Sequence, residues 1–130
     1  MTLPESDQQF LTDRVIPHIV QADGGMLAVV VTAWVLPAGL NVQQTNVLIR
    51  LPGGYPDVPP DMWWVDPALH RADGSVIEAT QVMEPHLGRT WQRWSRHFAP
   101  GQWQSGIDGL ESYLALIHSE FLRAAGQAAA

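Results

Sequence analysis

The sequence predicts an α+β domain, an antiparallel sheet packed on helices, and three observations carry that prediction. Apolar, β-branched runs fill the first half between glycine turns, a proline-dense stretch interrupts them, and one apolar stripe at helical spacing lies near the end. With 130 residues and 46% hydrophobic content, one core and one domain over residues 1–130 are expected. There is no cysteine and no lysine, so the fold must hold by packing alone, without disulfides or thiolate metal sites.

Thr2 to Val15 is polar, with Leu3, Phe10, Leu11 and Val15 spaced for a short amphipathic helix that Pro17 should stop. Asp23-Gly24-Gly25 is a turn signal, and the apolar run from Met26 to Leu36 makes it the centre of a strand pair, closed by Pro37-Ala38-Gly39. Asn46 to Leu51 reads as a third strand. It enters Pro52-Gly53-Gly54-Tyr55-Pro56-Asp57-Val58-Pro59-Pro60, an extended loop, because proline fixes φ and lacks a donor. Met62 to Val65 makes a fourth, aromatic strand. From Ala68 to Gly101 periodicity fades, and so long an irregular segment in a compact domain points to a functional loop. Asp108 and Glu111 read as a capping pair, and Leu110, Leu114, Ile117 and Phe121 as the core stripe of a helix from about Gly109 to about Arg123. Residues 126–130 read as a frayed tail.

Composition excludes several classes. A formal charge of −6 argues against a nucleic-acid binder that works by neutralising phosphates, although Arg89, Arg93 and Arg96 form a local basic patch. The longest apolar run, Met26 to Val31, is far short of a membrane span, and no signal peptide is recognisable, so a cytoplasmic protein without membrane association is expected. The five histidines lack metal-ligand spacing, and neither metal nor cofactor is expected.

The densest chemistry lies in Trp91-Gln92-Arg93-Trp94-Ser95-Arg96-His97, where aromatics and cations enclose one hydroxyl. Covalent acyl chemistry in a cysteine-free chain falls to a hydroxyl or an amine, which makes Ser95 a candidate nucleophile. Trp91, Trp94 and Trp103 read as wall and core, with Trp91 and Trp94 also offering an aromatic surface to a partner. Arg93 and Arg96 suit an acidic partner surface or a carboxylate-bearing tail.

Tyr55-Pro56-x-x-Pro59-Pro60 resembles the Tyr-Pro-x-x-Pro-Pro signature of the ubiquitin-conjugating superfamily, placed as there between the third and fourth strands. In that superfamily the catalytic cysteine precedes a tryptophan by eight residues, and here Ser95 precedes Trp103 by the same eight. With Leu48-Ile49-Arg50-Leu51-Pro52, Pro60-Asp61-Met62-Trp63-Trp64 and the tryptophan-arginine block, the chain resembles the prokaryotic family-E branch over about Phe10 to Leu122. The resemblance implies a conjugating-type fold with a four-stranded meander. It also implies a bacterial ubiquitin-like modification pathway, in which an adenylating enzyme activates a ubiquitin-like protein for acyl transfer to a target. A metalloprotease encoded nearby and a part in antiphage defence belong to the same expectation.

Two departures shape the expected chemistry. A thiol ionises near ~8.5, whereas a serine hydroxyl needs a base during attack, and His97 or His86 are the candidates. The product would be an oxyester. The family's His-Pro-Asn motif has no full counterpart in His70-Arg71-Ala72 or His86-Leu87-Gly88, which leaves Arg93, Arg96 or backbone N–H groups near Ser95 to hold an oxyanion. Three functions follow: transfer through Ser95, a catalytically silent module that binds the same partners, and a small serine hydrolase. The last lacks a Gly-x-Ser-x-Gly elbow and any acid evident in sequence to orient a histidine.

Overall fold

A computed structural model describes residues 2–126, and its elements follow the chain as α1 (Glu5–Asp13), β1 (His18–Asp23), β2 (Met26–Val35), β3 (Gln44–Leu51), β4 (Trp63–Asp66), β5 (Met83–His86), β6 (Arg89–Trp94) and α2 (Leu110–Ala124). The strands form one antiparallel sheet in the order β1-β2-β3-β4-β6-β5. The expected four-strand meander is present, and a hairpin that the sequence reading left inside an irregular segment extends it to six. The reason is local. β5 carries Pro85, tolerated because β5 is an edge strand, and β6 sets indoles on both faces, so neither shows the polar alternation that marks a half-buried strand.

The β1–β2 turn lies where Gly24-Gly25 predicted it, with Asp23 paired to Met26 and Gly24 at φ 63. β2 alternates between two clusters. Leu27, Val29 and Val31 face the main core with α2, while Ala28 and Val30 join Leu48, Trp64 and Trp91 on the other face of the sheet. Both faces of the central strands are therefore buried, which explains why β2 reads as a continuous apolar run.

The α2 stripe is core as its spacing implies, with Leu110, Ile117 and Phe121 at 0% exposure. Burying each such side chain stabilises the fold by roughly 1.5–3 kcal/mol. The expected cap is not the one used. Asp108 instead accepts from the Gln104 N–H, Glu111 pairs with Arg14, and the N-cap is Gly109, whose N–H donates to Ser112 Oγ. The Leu110 N–H donates to Asp7 Oδ1 at 3.0 Å, so a carboxylate from α1 stands at the positive end of α2. Asp7 is buried, and its other oxygen accepts the Tyr55 hydroxyl at 2.6 Å. At the opposite end, Arg71 Nε donates to the Ala124 carbonyl at 2.9 Å.

α1 is shorter than the expected span ending at Val15. Val15 takes φ 53, its N–H donates to Thr12 O, and the Ile16 N–H donates to Leu11 O. That is a Schellman ending, which stops the helix ahead of Pro17 with a β-branched residue where glycine is usual. Of the expected frayed tail, residues 127–130 lie outside the described residues.

Candidate active site

The proline loop is fixed from two sides. Trp103 Nε1 donates to the Pro56 carbonyl at 2.8 Å and its ring packs against Tyr55, Phe98 and Tyr113, while Ser105 donates to Asp57. The tryptophan eight residues beyond Ser95 thus clamps the Tyr-Pro-x-x-Pro-Pro segment to α2.

Ser95 follows the last residue of β6 and is half-buried. Its Oγ accepts from Arg93 Nε at 3.1 Å, and its N–H donates to the Ala79 carbonyl at 3.1 Å. Ala79 has φ 56 and Met62, whose N–H donates to the Arg96 carbonyl, has φ 61. Two non-glycine residues in the left-handed region therefore brace the segment around Ser95.

His97 Nδ1 lies 2.7 Å from Asp61 Oδ1, with both side chains well exposed. Asp61 supplies the orienting acid that sequence reading did not find, and its place directly after Pro59-Pro60 was the available signal. Asp61 lines a groove of about 420 Å³ with Pro52, Val58, Met62, Trp64 and His86. His97 lines a second groove of about 340 Å³ with Arg96, Phe98, Tyr113 and Glu120. The pair thus joins a residue of one groove to a residue of the other. Tyr113 keeps its hydroxyl proton, because burial first and the nearby Asp61 charge second push its pKa up, and it donates to the Met62 carbonyl.

His86 sits elsewhere in character. It closes β5 edge-on to Trp64, and its Nε2 lies 3.6 Å from Glu84 Oε1, too far for a hydrogen bond and buried without another partner among the described residues. His86-Leu87-Gly88 forms the β5–β6 turn, with Leu87 at φ 54 and Gly88 at φ 76. His70 lies beside Asn41, whose Oδ1 accepts its N–H, and takes no part in the Ser95 surroundings.

The arginines are committed to partners. Arg93 pairs with Glu84 at 3.1 Å, and Arg96 pairs with Glu120 at 2.7 Å and covers the Trp94 ring at 4.9 Å. Glu84 also accepts from Trp64 Nε1 at 2.7 Å. That bond is the largest influence holding its carboxyl below the usual range, with burial opposing and Arg93 and His86 assisting. The expected partner surface on Trp91 and Trp94 is corrected by their position. Both indoles are at 0% exposure on opposite faces of the sheet, Trp91 beneath Arg89 and Trp94 against Trp63 and Phe121, so neither reaches a partner in this fold. Their wall-and-core reading is the one the packing supports.

A meander sheet backed by a C-terminal helix, with a proline loop clamped beneath a tryptophan, defines a domain of the ubiquitin-conjugating type. The family model described as "Prokaryotic E2 family E" matches residues 3–124, and the chain belongs to that family. A search of curated proteins and of solved structures finds no match. Among the described residues no helix is long and apolar enough to cross a membrane. Membership implies dealings with a ubiquitin-like protein and its activating enzyme in general terms.

Proposed function

We propose that this chain carries a ubiquitin-like protein as an oxyester on Ser95 and passes it to a target amine. The observation that supports this most is the Asp61–His97 pair two residues beyond the hydroxyl. It leaves His97 Nε2 without a partner among the described residues and able to take a proton, with its other ring nitrogen oriented by a carboxylate. Ser95 Oγ attacks the carbonyl carbon of the acyl adenylate, its proton passes to His97, and the carbon–oxygen bond to AMP breaks as AMP departs. A target amine then attacks the ester carbonyl, the bond to Oγ breaks, and one amine proton ends on Oγ through His97. No histidine nitrogen contacts Ser95 Oγ among the described residues, and the contact forms in the loaded complex, as catalytic hydrogen bonds in free enzymes commonly do.

Incubation with the adenylating enzyme and ubiquitin-like protein of the same source and ATP should give an adduct. It resists reductant, is cleaved by alkali or hydroxylamine, and is lost in Ser95→Ala. No adduct would sink the proposal.

A specific observation favours a second reading, a binding module for the same partners. The Ser95 N–H is spent on Ala79 and the Arg96 N–H on Trp94, so the backbone donors nearest the hydroxyl are engaged. On that reading Ser95→Ala keeps partner affinity and pathway function. A metalloprotease encoded nearby, a cytoplasmic setting and a role in antiphage defence complete the proposal, and the genes beside this one test the first and last.

A further inference from the structure

We propose that Glu84 is the positioning residue that holds Arg93 on the Ser95 hydroxyl, so that Arg93 meets the charge arising as Ser95 is acylated. This rests on the oxyester reading above and deepens it.

The supporting geometry runs across three adjacent strands. Trp64 on β4 is paired to Arg93 on β6, and Glu84 on β5 lies opposite Trp91, one step diagonal from Arg93. The Arg93 N–H donates to the Val82 carbonyl at 2.8 Å, which fixes where its side chain starts. Two different N–H groups of its guanidinium are then committed, Nη1 to Glu84 Oε2 and Nε to Ser95 Oγ, both at 3.1 Å. Because the guanidinium is planar and rigid, two fixed donors define its plane. Glu84 is itself immobilised, since its other oxygen accepts from Trp64 Nε1. His86 Nε2, 3.6 Å from that same oxygen, Arg50, over the Trp64 ring, and Asp61, in the groove they share, also face this cluster.

The Arg93 Nε–H is aimed at the oxygen that gives up its proton, so it offsets the negative charge gathering on Oγ as His97 takes that proton, and a donor already placed does this without reorganising at the moment of reaction. Arg93 without Glu84 keeps one bond to a mobile hydroxyl and turns toward solvent. Ser95 then retains its nucleophilic atom and loses its aligned cation.

The test uses the full chain with ATP, adenylating enzyme and ubiquitin-like protein. Glu84→Gln still offers Trp64 an acceptor and removes the charge. It should lower the kcat of Ser95 acylation about tenfold, less than the roughly 10²–10³ that outright loss of a preorganised donor costs, with KM for the loaded adenylating enzyme within about twofold. Glu84→Asp should recover part of the loss. Hydrogen exchange of the Arg93 Nε–H by NMR, which needs no partner, should be slow in the wild type and fast in Glu84→Gln. A wild-type chain that forms no adduct overturns the oxyester reading and the acylation role of Glu84 together. An adduct formed at a rate indifferent to Glu84→Gln overturns the positioning role alone, as does unchanged Arg93 exchange.

Discussion

His86 and His97 each stand beside a carboxylate, and the two pairs work under opposite physical conditions. The His97–Asp61 contact is short at 2.7 Å, with side chains 61% and 59% exposed, so little holds it except its own hydrogen bond. The His86–Glu84 separation is longer at 3.6 Å, with exposures of 15% and 31%, and the carboxylate is saturated by Trp64 and Arg93 instead. An exposed pair contributes little to stability, typically below ~1 kcal/mol, and stays free to move protons. A half-buried cluster resists change, because removing one member strands the others. Sequence offers both histidines as bases for Ser95, and the oxyester proposal gives that work to the exposed His97 and leaves His86 a packing role.

The assignment can be broken most forcefully from its buried side. Trp64 floors the His86 cluster at 3% exposure, and Trp64→Ala should cost about 3–5 kcal/mol in chemical denaturation. A loss below about 1 kcal/mol would mean the cluster is not the rigid body described. Next in size, His97→Ala should slow adduct formation about 100-fold while the denaturation midpoint stays within experimental scatter. Equal effects on rate and midpoint would erase the distinction between the pairs. His86→Ala should do the reverse, lowering stability by about 1–2 kcal/mol, as expected for a packed ring whose removal leaves a gap, with acylation kinetics close to wild type.

The smallest effect lies in pH. The Glu84 carboxyl titrates below its ordinary value in the folded chain, with Trp64 as the first cause, so the folded state favours the ionised form. Its contribution to stability is therefore present above the ordinary carboxylate range and is lost as pH falls through the lower, folded value. Denaturation series at stepwise lower pH should show wild type and Glu84→Gln converging in that acidic window.

Local patterns announced some of this and distance hid the rest. The glycine turn before β2, the proline loop and the α2 stripe are each set by neighbours within a few residues, so the sequence carries them openly. The β5–β6 hairpin escaped because Trp91 and Trp94 are both apolar and face opposite ways, which looks aperiodic. At the site, Ser95 and Arg93 are two residues apart and readable as a cluster. Asp61 reaches His97 across 36 residues, and only the pairing of β4 with β6 shows that they meet. Glu84 needs the hairpin to come within reach of Arg93. The buried state of Trp91 and Trp94 needs the whole sheet.

The two charged side chains at the ends of α2 bind distant parts of the chain into one cooperative unit. Asp7 reaches the first turn across 103 residues and Arg71 reaches the last across 53, so the final helix cannot open at either end without releasing a group from another element. Slowly exchanging amides in α2 should therefore share one opening free energy with those of α1, and loosening the first helix should be felt at the last.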